Sequence, residues 1–162
     1  MRLTLAALPL FSFALWAQTA TPAAHVAVRV GDKPEQTFTE EDFAKMPRHH
    51  VSANEHGTTV EYDGVLLRDV LEKVGAPLGK ELKGKVLSTY VLATARDGYA
   101  VVYTLTEMDT AFTDSEILLA DRMKGQPMND TQGPFRIVVP SDKKPARSVR
   151  MLERIDVVQL RK

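Results

Sequence analysis

The sequence predicts an α+β domain in which short strands and short helices alternate without a regular repeat. Three observations carry that reading. Val26, Val28 and Val30 recur with a period of two, the spacing of one face of a half-buried strand. Leu66, Leu67, Val70, Leu71 and Val74 recur at helical spacing and form an apolar stripe. Asp97-Gly98 separates two runs of β-forming residues, which is a hairpin signal. Strands and helices do not alternate as regular βαβ units, so the pattern favours α+β over α/β.

The elements follow in chain order. After the valine strand, Gly31-Asp32 turns the chain. Thr39 followed by Asp42 reads as a capping-box variant that starts a short helix over Glu40 to Lys45, stopped by Pro47. Two polar strand-like segments, His49 to Glu55 and Thr58 to Tyr62, meet across His56-Gly57 as a hairpin. Asp63-Gly64 reads as a turn and cap before the Leu66 helix, which Gly75 and Pro77 stop. Strands are expected over Lys85 to Ala95, Tyr99 to Thr104, Glu116 to Ala120, Phe135 to Val139 and Ile155 to Leu160. Short helical pieces are expected over Thr106 to Phe112 and near Ser148 to Leu152.

At 162 residues, 44% hydrophobic and 26% charged, the chain has the size of one domain and a globular composition. Such a length buries a core without disulfide or metal staples. The 21 basic and 21 acidic residues balance, so no global field points to nucleic acid. Residues 1–17 read as a signal peptide: Arg2 precedes an apolar run from Leu3 to Trp16, and Ala17 offers a small residue for cleavage. That run is too short to span a bilayer comfortably. Residues 18–24 read as a linker and 25–162 as the mature domain, so a periplasmic or secreted, not membrane-spanning, protein is expected. There is no cysteine, hence no disulfide, no thiolate nucleophile and no thiolate metal ligand.

One apolar strand carries a charge. In Gly133-Pro134-Phe135-Arg136-Ile137-Val138-Val139-Pro140 the arginine lies among residues that normally exclude it. An unpaired buried cation is very costly, so Arg136 needs a partner. That partner is either an anionic ligand or an internal Asp or Glu across the sheet. The nearby Arg147 and Arg150 would share one face of a helical turn, with Ser148 adding backbone donors. Clustered arginines suit anions, although a charged tail is also commonly just a solvated surface.

The ordered pieces Tyr62-Asp63-Gly64-Val65-Leu66-Leu67-Arg68-Asp69-Val70-Leu71, Asp97-Gly98-Tyr99, Ile117-Leu118-Leu119-Ala120, Gly125-Gln126-Pro127-Met128, Gly133 to Pro140 and Ala146-Arg147-Ser148-Val149-Arg150 together resemble one family. It is the oxidoreductase molybdopterin-binding domain, the catalytic domain of sulfite oxidases and related periplasmic reductases. The resemblance runs from about Val26 to Val158. It implies a sulfite oxidase-like α+β fold, with a mixed-sheet, barrel-like core and short helices, holding a pterin-dithiolene molybdenum cofactor. It also implies cofactor-binding roles for Arg136, Arg147, Ser148 and Arg150, and a periplasmic redox partner.

The chain departs from that family at one decisive point. The family's molybdenum-ligating cysteine lies between the first helix and the Gly-Val-Leu-Leu segment, where this chain reads His49-His50-Val51-Ser52-Ala53-Asn54-Glu55-His56-Gly57. Its leader also lacks the paired arginines that usually mark export of folded, cofactor-loaded proteins. Oxidoreductase chemistry of the sulfite oxidase type is therefore not expected from this site.

His49, His50 and His56 are the candidate metal ligands, with His50 and His56 expected to approach each other across the hairpin beside Glu55. The alternative is an exposed hairpin whose histidines titrate freely. Tyr99 and His56 are the candidate catalytic side chains, Tyr99 either as part of the Asp97-Gly98 turn or as a phenol offered to a ligand. Thr113-Asp114-Ser115 has no histidine placed beside it by the sequence, and no Gly-rich phosphate loop is present. Two functions remain open. One is an exported domain binding a pterin or similar small anionic ligand; the other is a cofactor-free periplasmic binding or interaction module on the same fold.

Overall fold

The computed structural model describes residues 24–160; the leader and most of the linker lie outside them. Strand β1 (His25–Val30) opens the domain and buries Val26 and Val28 completely. It turns through Gly31, whose φ of 53° suits glycine, into β2 (Gln36–Thr39), a strand too short to show a period in the sequence. Helix α1 (Glu40–Ala44) starts where expected: the Thr39 side chain accepts from the Asp42 N–H, and Asp42 accepts from the Thr39 N–H. Its one buried residue, Phe43, packs between Phe38 and Phe135.

Strand β3 (His49–Glu55) and β4 (Thr58–Leu66) form the expected hairpin across His56-Gly57. Strand β4 is longer than its sequence suggests and runs through Asp63-Gly64, which is neither turn nor cap; Leu66 is the residue that caps α2 (Leu67–Lys73). Gly64 is required by packing. A Cβ there would lie 2.2 Å from the Leu119 carbonyl oxygen and 2.7 Å from the Ala120 Cα. The neighbouring strand approaches too closely for any side chain.

The expected Lys85–Ala95 strand splits into a 3-10 segment (Gly84–Ser88) and β5 (Thr89–Ala95). Strand β6 (Ala100–Thr104) follows the Asp97-Gly98 turn, and the helical piece after it is a short 3-10 turn, Leu105–Met108. Next come β7 (Leu118–Met123), the two-residue β8 (Gln126–Pro127) and β9 (Arg136–Val138). A 3-10 turn at Pro145–Arg147 precedes β10 (Leu152–Gln159). The helical turn expected at Ser148–Leu152 is not formed, because Leu152 already belongs to β10.

Two open five-stranded sheets result. One has the order β2-β1-β10-β5-β6; the other runs β3-β4-β7-β8, with β9 also pairing to β7. The architecture is α+β as predicted, but neither sheet closes into a barrel. The main core joins both sheets through Val28, Val91 and Ile155 from the first and Val65, Leu119 and Ile137 from the second, with α2 packed in by Val70 and Leu71. The opposite face of the second sheet curls around a smaller core of Val51, Ala53, Val60, Tyr62, Leu118 and Val138. Alternation along β9 explains the buried charge: Ile137 enters the main core, while Arg136 and Val138 turn to the smaller one.

Candidate functional site

A cleft of ≈ 550 Å³ opens at the rim of the smaller core, within the size range of small-ligand pockets. Four segments converge on it. The β3–β4 turn brings Glu55 and His56, the β5–β6 turn Asp97 and Tyr99, β9 brings Arg136, and the loop before β10 brings Lys144, Ser148 and Arg150. The first and third belong to one sheet; the others border or lead into the other.

Arg136 forms the floor and is 1% exposed. Its Nη2 donates to Glu55 Oε1 at 2.7 Å, and its Nη1 donates to Tyr62 Oη and Gln132 Oε1, each at 3.0 Å. The Tyr62 hydroxyl donates in turn to Glu55 Oε1 at 3.0 Å. Burial raises the Tyr62 phenol to about 12, against the opposing pull of the Arg136 charge, so it stays a neutral donor. The internal carboxylate partner required for a buried arginine is thus Glu55. One donor is left over: the buried Arg136 Nε has no hydrogen-bond partner.

The other two arginines behave differently from each other. Arg147 is held by Asp142 through Nε and Nη2, both at 2.8 Å, and by Glu107 through Nη1 at 2.7 Å. Its guanidinium also lies over the Tyr103 ring, 5.6 Å from the centroid. Glu107 feels opposing effects. Burial pushes its carboxyl up, but the hydrogen bonds from Arg147 and Thr104 outweigh it and hold the group below the usual carboxylate range. Arg147 therefore fastens the loop to the first sheet and is not among the cleft-lining residues. Arg150 lines the cleft, is exposed, and makes no ion pair among the described residues. Because Ser148–Leu152 is not helical, Arg147 and Arg150 do not share a helical face.

Ser148 is buried, and its Oγ accepts the Val139 N–H at 3.2 Å, which leaves the hydroxyl proton free to donate. Tyr99 is half-exposed and donates its hydroxyl to the Ala146 carbonyl at 2.6 Å, pinning the loop to the β5–β6 turn. Tyr103 adds a second such pin, donating to the Arg147 carbonyl. Lys144 was not singled out by sequence. Its signal was only membership of the basic tail, and it joins the site because the loop folds back.

The histidines separate. His50 pairs in register with Asp63 at the far end of the hairpin from His56, which sits in the turn. The expected approach of His50 and His56 fails because the length of β3 separates them, with His56 in the turn and His50 near the strand's other end. His50 instead contacts Asp63 through Nδ1 at 2.9 Å and Glu61 through Nε2 at 2.7 Å. His49 opposes Gly64. No group of three or more His, Asp or Glu among the described residues is arranged to hold a metal ion.

The residues present fit one end of a molybdopterin better than the other. Arg150, Lys144 and the Ser148 O–H are donors suited to an anionic tail. Of the stretch from His49 to Gly57, only Glu55 and His56 line the cleft, and Glu55 is committed to Arg136 and Tyr62. No thiolate is available there to ligate molybdenum.

The profile of the oxidoreductase molybdopterin binding domain matches residues 18–162. Among solved structures the fold is similar to the sulfane dehydrogenase SoxCD from Paracoccus pantotrophus. That match has a TM-score of 0.64 and 17% identity, and covers 84% of this chain and 38% of that one. The chain thus spans well under half of that protein's length. No curated protein matches. No helix among the described residues is long and apolar enough to cross a membrane.

Proposed function

The chain belongs to the oxidoreductase molybdopterin-binding domain family, and from that premise we propose that its cleft binds the anionic end of a pterin cofactor or a similar small anionic ligand. The observation that carries the reading is the unequal commitment of the cleft's charges. Glu55 is neutralised by Arg136, while Arg150 and Lys144 stand exposed and free of ion pairs among the described residues. A cleft with spare positive charge recognises an anion.

Molybdenum bound to a pterin supplies two-electron redox chemistry in this family. The donor set here contains no cysteine thiolate for that metal, and no redox step is assigned to this chain. Its own residues bind and orient. Arg136 and Ser148 fix the floor, Arg150 and Lys144 supply charge, and Tyr99 holds the loop in place. We place the protein outside the cytoplasm on the strength of its leader, and mass measurement of the recovered protein should show residues 1–17 removed.

The deciding experiment is to purify the protein from the exported compartment and measure pterin and molybdenum per chain. Near-stoichiometric pterin, lost in Arg150→Ala, is the expected result. Finding neither pterin nor any other bound anion would leave the cofactor-free interaction module as the better account.

A further inference from the structure

His56 is the one imidazole among the residues that line the cleft, and its ring atoms have no hydrogen-bond partner among the described residues. Its backbone φ is 53° and that of Gly57 is 90°, so both central residues of the β3–β4 turn are left-handed. Asn-Gly and Asp-Gly are the preferred pairs for such a turn. The turn is braced by the Asn54 side chain, which accepts the Gly57 N–H at 2.8 Å. It is also tied to the cleft floor through Glu55, bound by Arg136 and Tyr62. An imidazole thus projects from a fixed support. It lines the cleft, is exposed, and makes no hydrogen bond or ion pair among the described residues.

We infer that His56 is an anion-contacting residue of this cleft and that the site takes up a proton on His56 when it takes up an anion. The inference rests on the anion-binding reading given above. The charged groups facing His56 are Glu55 on its own hairpin, Asp97 on the β5–β6 turn, Arg136 on β9, and Lys144 and Arg150 on the loop. Carboxylates, ammonium and guanidinium groups keep their charge across the neutral range, whereas imidazole gains one as pH falls. With Glu55 and Arg136 cancelling, and Asp97 offsetting one of Lys144 and Arg150, the cleft carries about one net positive charge that His56 can raise to two. Anion affinity therefore follows His56 protonation, and by reciprocity a bound anion raises the proton affinity of the imidazole.

Sulfate is the suitable probe because its own charge is constant over the pH range used. Calorimetric titration of the full chain at pH values from about 5.5 to about 8 should show affinity falling about fivefold, as expected for loss of one nearby surface charge. Proton uptake on binding should appear as a buffer-dependent heat. The His56 ring protons, followed by NMR, should titrate at higher pH with sulfate present. In His56→Asn, which suits the left-handed turn, affinity should fall to the wild type's high-pH level at every pH, and the proton uptake should vanish. His50→Gln should change neither. Sulfate binding that is pH-independent, or equally pH-dependent in His56→Asn, overturns the role of His56 and leaves the anion cleft standing. No sulfate binding at any pH, in wild type or variant, overturns both.

Discussion

Arg147 and Arg150 stand three residues apart and do opposite work. Arg147 spends its guanidinium on Asp142, Glu107 and the face of Tyr103, so it organises the loop. Arg150 makes no hydrogen bond or ion pair among the described residues and lines the cleft. Replacing Arg147 by alanine leaves two carboxylates that were positioned to meet it, with a third of the arginine already in water. That should cost about 1–2 kcal/mol in urea denaturation, the range of a partly screened ion-pair network. Anion affinity, measured on the fraction that remains folded, should change little. Arg150→Ala should do the reverse, holding stability within about 0.5 kcal/mol while weakening sulfate binding roughly tenfold. If Arg150→Ala unfolds the protein and leaves binding intact, Arg150 is a structural residue and the division of labour is wrong.

At the scale of an element, the β3–β4 hairpin carries its own electrostatic lock. His50 lies between Asp63 and Glu61 on the exposed face, and Ser52 Oγ donates to Glu61 as well. Both imidazole nitrogens can donate only when the ring is charged, and the Asp63 bond, followed by Glu61, raises its pKa above the ordinary imidazole value. A raised native value means the native hairpin holds the proton more tightly than the unfolded chain. The stabilisation is therefore complete below the ordinary value and disappears as pH rises through the raised one. Amide hydrogen exchange along β3, corrected for its intrinsic pH dependence, should lose protection over that interval. In His50→Gln the loss should be absent; persistence of the same loss would assign it to other groups. The hairpin also shows what the sequence made legible. Its turn at His56-Gly57, the Thr39–Asp42 cap and the alternation of β1 are local patterns and appear where expected, whereas β4 runs past Tyr62 to Leu66. Asp63-Gly64 misled because the pair is a favoured turn, while the real demand on Gly64 comes from the Leu119 backbone on another strand. Likewise the need for an Arg136 partner was readable, but its identity was not. Glu55 lies 81 residues away, and the pairing of β3 with β4, of β4 with β7 and of β7 with β9 brings the two together.

For the molecule as a whole, the position of the cleft matters more than its size. It draws Glu55, His56 and Arg136 from one sheet and Asp97, Tyr99 and Arg150 from turns and loops belonging to the other. The segment from β9 to β10 is the last of the chain's passages from one sheet to the other, and it carries Arg136, Lys144, Ser148 and Arg150. A bound anion would therefore add a tie between two sheets already joined by the main core, by the chain's passages between them and by the Tyr99 and Tyr103 pins. Ligand that binds only the native state stabilises it by RT ln(1 + [L]/Kd), about 2.7 kcal/mol at one hundred times Kd. For a domain of this length, each kcal/mol corresponds to roughly 2–4 °C in Tm. Saturating sulfate or pyrophosphate should thus raise Tm by about 5–10 °C, with a smaller gain above neutral pH and little in Lys144→Ala combined with Arg150→Ala. Hydrogen exchange should register the gain in β4 and in β5 together. Protection confined to one sheet would mean that the anion sits on a single loop and does not bridge the crossover.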